Sequence, residues 1–130
     1  MSGFGDTTRR LLRGRRAEAA GRGAEDLAVA ALVRDGWRVL ARRTRTPAGE
    51  LDLVAERDGL LAFVEVKARP SLTEAAFALG ARQRMRLVAA AEWWVAANPG
   101  HGEAGMRFDV VIVAADGTAR RIADAFRIGD

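Results

Sequence analysis

Four ionisable side chains set within two apolar runs carry the chemistry that this sequence can do. Glu50 and Asp52 alternate with leucines in Gly49 to Ala55, and Glu65 and Lys67 flank Val66 in Leu60 to Arg69. Asp58-Gly59 stands between the runs, and Asp-Gly is a strong signal for a type I′ hairpin turn, whose two central residues both need positive φ. That turn sets Arg57 opposite Leu60, Val54 opposite Phe63, Asp52 opposite Glu65 and Glu50 opposite Lys67. Side chains alternate along a strand, so one face carries Glu50, Asp52, Glu65 and Lys67. The other carries Leu51, Leu53, Ala55, Ala62, Val64 and Val66. A slip of one residue would drive three carboxylates and an ammonium into the core, which fixes the register.

Two carboxylates facing each other at ~5 Å repel by about 3 kcal/mol at an effective dielectric near 20. A divalent cation reverses that sign, because hard cations such as Mg²⁺ take one or two carboxylates and complete their shell with water and substrate phosphate. Lys67 is the only lysine among 21 Lys+Arg residues. Keeping lysine there suggests a site that needs a compact point charge, not a planar fork. The competing reading is a solvated polar sheet face with a Glu50/Lys67 cross-strand pair; the opposed acids, the turn-fixed register and the unique lysine favour the metal site.

These residues must be positioned by a single domain, since 130 residues suffice for one core and not for two. The chain is 49% hydrophobic, without any apolar run near the ~20 residues that span a bilayer. No cysteine is present, which excludes disulfides, zinc-thiolate sites and a cysteine nucleophile and fits a reducing cytoplasm. Net charge is +4, which favours polyanionic partners. Residues 1–23 hold Arg9, Arg10, Arg13, Arg15, Arg16 and Arg22 with several glycines and little periodicity. They read as a flexible basic arm, without a secretory signal, ahead of one domain over residues 24–130.

Within that domain, Ala24, Leu27, Ala28, Ala31 and Leu32 form one helical stripe that Gly36 ends. Glu25, at the edge of the stripe, reads as solvated. Trp37 to Ala41 is a short strand with Trp37, Val39 and Ala41 on one face; Arg42, Arg43 and Arg45 follow in a basic loop suited to phosphate. Ser71 to Glu74 is a capping box, and a second helix over Ala81 to Ala97 is apolar enough to lie on the sheet. Arg82, Arg84 and Arg86 in its first turns oppose the helix dipole, an arrangement better explained by an anionic ligand, with arginine stems packed on the core edge as the rival. Trp93 and Trp94 read as core, and His101, the only histidine, as exposed. Met106 to Ala114 alternates as a strand, Asp109 pairs near Arg107 or caps the sheet end, and Asp116-Gly117 turns into a last segment over Thr118 to Phe126. The order helix, three strands, helix, two strands predicts an α/β sandwich: an antiparallel meander, then a helical crossover to a parallel strand.

Asp52 followed thirteen positions later by Glu65-Val66-Lys67 resembles the D…(D/E)xK signature of the restriction-endonuclease-like, or PD-(D/E)XK, nuclease superfamily. More closely, GELDLVA, FVEVKAR and RFDVVIV resemble the YraN family, a bacterial group regarded as endonuclease-like and related to Holliday-junction resolvases. The resemblance covers Gly21 to Phe126 and implies an α-β-β-β-α-β core with a central mixed sheet flanked by helices. It also implies that Glu25 matches an additional active-site acid. Three departures stand out: Ala24 where the family has Gly, Arg43 where it has Asn, and Gln83 where it has Lys. Gln83 could still orient a substrate.

The expected function is a divalent-metal-dependent nuclease acting on DNA, structured or branched DNA included, with Mg²⁺ or Mn²⁺ held by Asp52 and Glu65. Lys67 would hold the attacking water or stabilise charge on the phosphate, with Glu50 and Glu25 as auxiliary ligands or proton acceptors. Arg42, Arg43, Arg45, Arg82, Gln83 and Arg86 would contact nucleic acid. The alternative is a binding module that keeps the fold and does not cut. No membrane partner is expected, and a homodimer is left open.

Overall fold

The computed structural model of the protein describes residues 23–72 and 79–126. Helix α1 covers residues 23–34, followed by β1 (Arg38–Thr46), β2 (Gly49–Arg57), β3 (Leu60–Arg69), α2 (Ala81–Ala97), β4 (Gly105–Ala114) and β5 (Ala119–Phe126). The strands form one sheet in the order β1-β2-β3-β4-β5. All neighbours run antiparallel except β3 and β4, which are parallel because α2 carries the chain back over the sheet. This is the expected mixed sheet between helices. The basic arm, the capping box that ends at Glu74 and the last four residues lie wholly or partly outside the described residues.

The Asp58-Gly59 turn sets the register as expected as far as Leu53↔Val64; the ladder ends there, so the expected pairs Asp52 opposite Glu65 and Glu50 opposite Lys67 do not form. Asp58 and Gly59 have positive φ, 52° and 79°, and the β2–β3 ladder runs from Arg57↔Leu60 through Val54↔Phe63 to Leu53↔Val64. Gly36, at φ 86°, closes α1 in a Schellman motif: its N–H donates to Val33 C=O and the Trp37 N–H to Leu32 C=O, each across 3.0 Å. Leu32 and Trp37 then bury together, as that motif favours.

Among the described residues, each face of the sheet is covered by one helix. Ala24, Ala28 and Leu32 of α1 pack on Leu53, Ala55, Ala62, Val64, Val111 and Val113. On the opposite face, Leu87, Ala90, Ala91 and Trp94 of α2 pack on Val54, Leu61, Phe63 and Phe108. Phe63 anchors this layer, edge-on to Trp94 at 6.0 Å and 5.8 Å from Phe108. Cutting such a ring back to alanine costs about 3–5 kcal/mol.

Several expectations need correction. Strand β1 continues to Thr46, so Arg42, Arg43 and Arg45 sit in a strand and not in a loop, their backbone held by β2. Between Val39 and Ala41 the register shifts by one, a bulge that moves Ala41 from the α1 layer to the α2 layer. Leu51 also packs in the α2 layer, because it lies past the end of the β2–β3 ladder, where strict alternation lapses. Trp94 is core, whereas Trp93 points away from the sheet and is 42% exposed. His101 is half-buried, with Nδ1 3.0 Å from Glu56 Oε1 and its ring against Trp94. Glu56 also accepts from the Gly102 N–H; the His101 contact first, then that bond, hold its carboxyl below the ordinary range.

Asp109 is fully buried, as its place in β4 demands, and is neutralised where it stands. Arg107 donates to it across 3.0 Å, Arg121 stands 3.6 Å away, and the Asp124 N–H caps its other oxygen at a bulge in β5. Arg107 and Arg121 also lie over the Trp37 ring. This cluster closes the α1 face of the core around Trp37.

Candidate functional site

The acids collect where β2 and β3 part. The ladder stops at Leu53↔Val64, and the next inward N–H of β3, on Val66, donates 2.9 Å to Asp52 Oδ2. A side-chain carboxylate has taken up a donor of the strand, which anchors Asp52 at the mouth of the split. Glu65 Oε1 lies 3.2 Å from Lys67 Nζ and accepts from Gln83 Nε2 across 2.9 Å. Gln83 reaches it from the first turn of α2, whose N-terminal end overhangs this end of the sheet. The resulting cleft, about 210 Å³, is lined by Gly49, Glu50, Asp52, Glu65, Gln83, Arg86 and Leu87. Beyond the Val66 N–H on Asp52 and Gln83 and Lys67 on Glu65, the two carboxyls lie within hydrogen-bond reach of each other.

Burial, and second the charge of Glu65, push the Asp52 carboxyl up to about 7, against the opposing pull of the Val66 N–H and Lys67. Near neutrality the pair therefore retains part of a proton, which a cation can displace. Two half-buried acids close enough to share a proton, beside open space, fit Mg²⁺ or Mn²⁺. Among the described residues no three or more His, Asp or Glu side chains form a metal cage, so the rest of such an ion's shell falls to water and a ligand phosphate.

Glu50 lies on the exposed rim of the cleft, opposite Arg45 in the β1–β2 ladder. Glu25 does not join the cleft. Contrary to its expected solvation it is buried, 6% exposed, and clamped by Arg42 Nε at 3.1 Å and Arg43 Nε at 2.9 Å; Arg42 also bonds Asp26. These bonds raise both guanidinium pKa values, through Asp26 and then Glu25 for Arg42, and through Glu25 for Arg43, which also feels Glu50. The signal for Glu25 was in the sequence: Glu25, Ala28 and Leu32 fall at i, i+3 and i+7, which places the acid on the buried stripe itself. Arg43 adopts φ 49°, a conformation Asn tolerates better than arginine, and the Glu25 bond holds it there.

The basic residues thus divide in two. Arg42 and Arg43 are engaged with α1, whereas Arg45, Arg82 and Arg86 make no ion pair among the described residues, and Arg86 stands at the cleft wall. The sequence left unread that Gln83 serves Glu65 and that the Val66 N–H serves Asp52. The first depends on how α2 overhangs the sheet and the second on where a ladder ends, and no local pattern encodes either.

Comparison with known proteins bears on the whole of this core. The chain is 55% identical over 122 residues to a UPF0102 protein of Granulibacter bethesdensis, covering 94% of this chain and 77% of that one. It is 52% identical over 112 residues to a UPF0102 protein of Azorhizobium caulinodans, covering 86% of each. A UPF0102 protein of a Bradyrhizobium species is 49% identical over 106 residues, 82% of this chain and 75% of that one. Residues 24–113, from the buried start of α1 through β4, match the family described as Uncharacterised protein family UPF0102, and the chain belongs to that family.

Proposed function

We propose that the protein is a divalent-metal-dependent phosphodiester hydrolase acting on DNA in the cytoplasm, a member of the restriction-endonuclease-like superfamily whose substrates include structured or branched DNA. One observation carries the reading. Asp52 and Glu65 meet at a split between strands, close enough to share a proton, and the chain's single lysine lies 3.2 Å from Glu65. Asp52 and Glu65 would hold Mg²⁺ or Mn²⁺, which when bound supplies Lewis acidity and a more acidic water. Lys67 sits where it can stabilise charge growing on a phosphate oxygen. Gln83 fixes the orientation of Glu65, and Glu50 on the rim is placed to accept a proton. Arg45, Arg82 and Arg86 grip flanking phosphates.

A second reading, a binding module that does not cut, draws on Gln83. This neutral amide stands where the family resembled has a lysine, so Glu65 has one ammonium beside it instead of two. Incubating the protein with branched, single-stranded and duplex DNA in Mn²⁺ or Mg²⁺, with Asp52→Asn and Lys67→Arg alongside, separates the two. Cleavage that needs metal, Asp52 and Lys67 supports the hydrolase, since the bulkier, delocalised guanidinium cannot replace the ammonium. Binding without cleavage under every metal supports the module.

A further inference from the structure

The first turns of α2 lead outward from the acid cleft in a fixed order of side chains. With about 3.6 residues per turn, Gln83, Arg86, Arg82 and Met85 follow one another around the helix at steps of roughly 40–60°. Gln83 is bonded to Glu65, and Arg86 stands at the cleft wall. Beside that wall lies a second, open hollow of about 550 Å³ lined by Arg82, Met85 and Arg86, so one arginine borders both spaces. Met85 is 71% exposed and belongs to neither core layer, so the packing of the fold does not depend on it. A lone exposed apolar side chain is commonplace. This one stands beside two exposed guanidiniums that make no ion pair among the described residues, on a helix whose first turn holds no acid.

We propose that Met85 is a wedge that selects DNA whose base stack is already interrupted at a branch, with Arg82 and Arg86 holding the phosphates between it and the cleft. The inference rests on the reading of the acid cleft as a site for a DNA phosphate. From Gln83 to Met85 the path crosses most of the helix, ~10–12 Å in breadth, which is about three base steps of ~3.4 Å each. A strand whose phosphate lies against Asp52 and Glu65 therefore passes Arg86 and Arg82 and presents a base step to Met85. The two guanidiniums along that path match the charge of the phosphates they meet. The thioether is unbranched and polarizable, which suits it to lie on a base face or to enter a step. Apolar side chains used in this way part stacked bases, and in continuous duplex the parting costs stacking free energy. At a branch that stacking is already lost, so the same side chain gains its contact without the cost. Arginines alone would hold all DNA alike, and the methionine beside them makes the difference between substrates.

The test needs no cleavage and is run in EDTA, by fluorescence anisotropy on a four-way DNA junction and on a duplex of the same sequence. The wild type should bind the junction at least tenfold more tightly than the duplex. Met85→Ala should erase that preference while leaving duplex affinity and its salt dependence unchanged, and Met85→Leu, apolar and of similar size, should keep it. Arg86→Ala should weaken both DNAs alike. Trp93→Ala, a change at another exposed apolar side chain about two turns further along α2, should leave the preference intact. Because the chain has no cysteine, Met85→Cys can carry a photocrosslinker at that one position, which should label bases next to the branch. A wild type that binds neither DNA or both equally, a Met85→Ala variant that keeps the preference, a Trp93→Ala variant that loses it as fully, or labels scattered along the arms each overturns the wedge. Since metal is absent throughout, a separate failure to cut in Mn²⁺ removes the hydrolase and leaves the wedge standing, whereas cutting that Met85→Ala leaves equally selective does the reverse.

Discussion

Gln83 Nε2 donates to Glu65 Oε1 across 2.9 Å, and Lys67 Nζ stands 3.2 Å from that same oxygen. A neutral amide and a single ammonium share one carboxylate oxygen. The Asp52 and Glu65 pair is left with little positive charge to offset its burial, and Asp52 is pushed up to about 7.

It follows that Gln83→Lys lowers the Asp52 midpoint, since a second ammonium on Glu65 favours the ionised pair. The pair titrates as a unit, so the quantity to follow is the higher of its two carboxyl midpoints in ¹³C NMR. A midpoint unmoved by the added charge would show that Gln83 does not govern the cleft's protonation.

Glu25 offers the opposite case, an acid whose role is to hold α1 against β1. Glu25→Gln keeps the shape but forfeits the charge that both arginines bond, and charge-assisted bonds are the stronger kind. The melting temperature should fall by roughly 5 °C, while the response to Mn²⁺ is retained because Glu25 lies outside the cleft. Loss of the metal response in this variant would return Glu25 to the site.

The core of the fold was legible because its cues are local. Asp58-Gly59 fixes the hairpin, Gly36 ends α1, and the apolar alternation of β4 is readable at period two. The hairpin's phase put Asp52, Glu65 and Lys67 on one face, although the ladder ends one rung before the pairing expected of them. The bulge near Leu40 and the true length of β1 were not legible, because neighbouring strands decide where an arginine-rich stretch is paired. The burial of Glu25 was lost for a related reason: its helical phase was visible, but the Arg42 and Arg43 clamp that permits its burial becomes a contact only once β1 lies beside α1.

The division among the arginines predicts which of them bind DNA. Alanine at Arg45, Arg82 and Arg86 together should weaken binding to every sequence alike and flatten the salt dependence by about 0.9 per lost phosphate contact on duplex DNA. Alanine at Arg42 and Arg43 should mainly cost stability through Glu25. A filter-binding series across salt concentrations checks this, and the assignment fails if the Arg42 and Arg43 pair carries the larger change in slope.

The cleft also makes a claim on stability. Asp52 in the folded protein sits at about 7, well above the ~4 of an unfolded aspartate. For a raised carboxyl the contribution to stability is fully present below the unfolded value and is lost as pH rises through the folded one. Without metal, the protein should therefore lose on the order of a few kcal/mol between about pH 4 and pH 8 from this pair. Asp52→Asn removes that loss: its amide oxygen can still accept from the Val66 N–H, it carries no charge, and it should melt higher than wild type at pH 8. Metal inverts the ranking. A cation at 100 times its dissociation constant adds about 2.7 kcal/mol to the wild type and far less to Asp52→Asn, and the wild-type gain grows from pH 6 to pH 8 as the competing proton leaves. Melting curves of both proteins over that range, with and without Mn²⁺, decide the matter. A wild type that does not respond to Mn²⁺ at pH 8, together with an Asp52→Asn variant no more stable without it, leaves the acids as a buried strain with no ion to relieve it. In that event the binding module is the function.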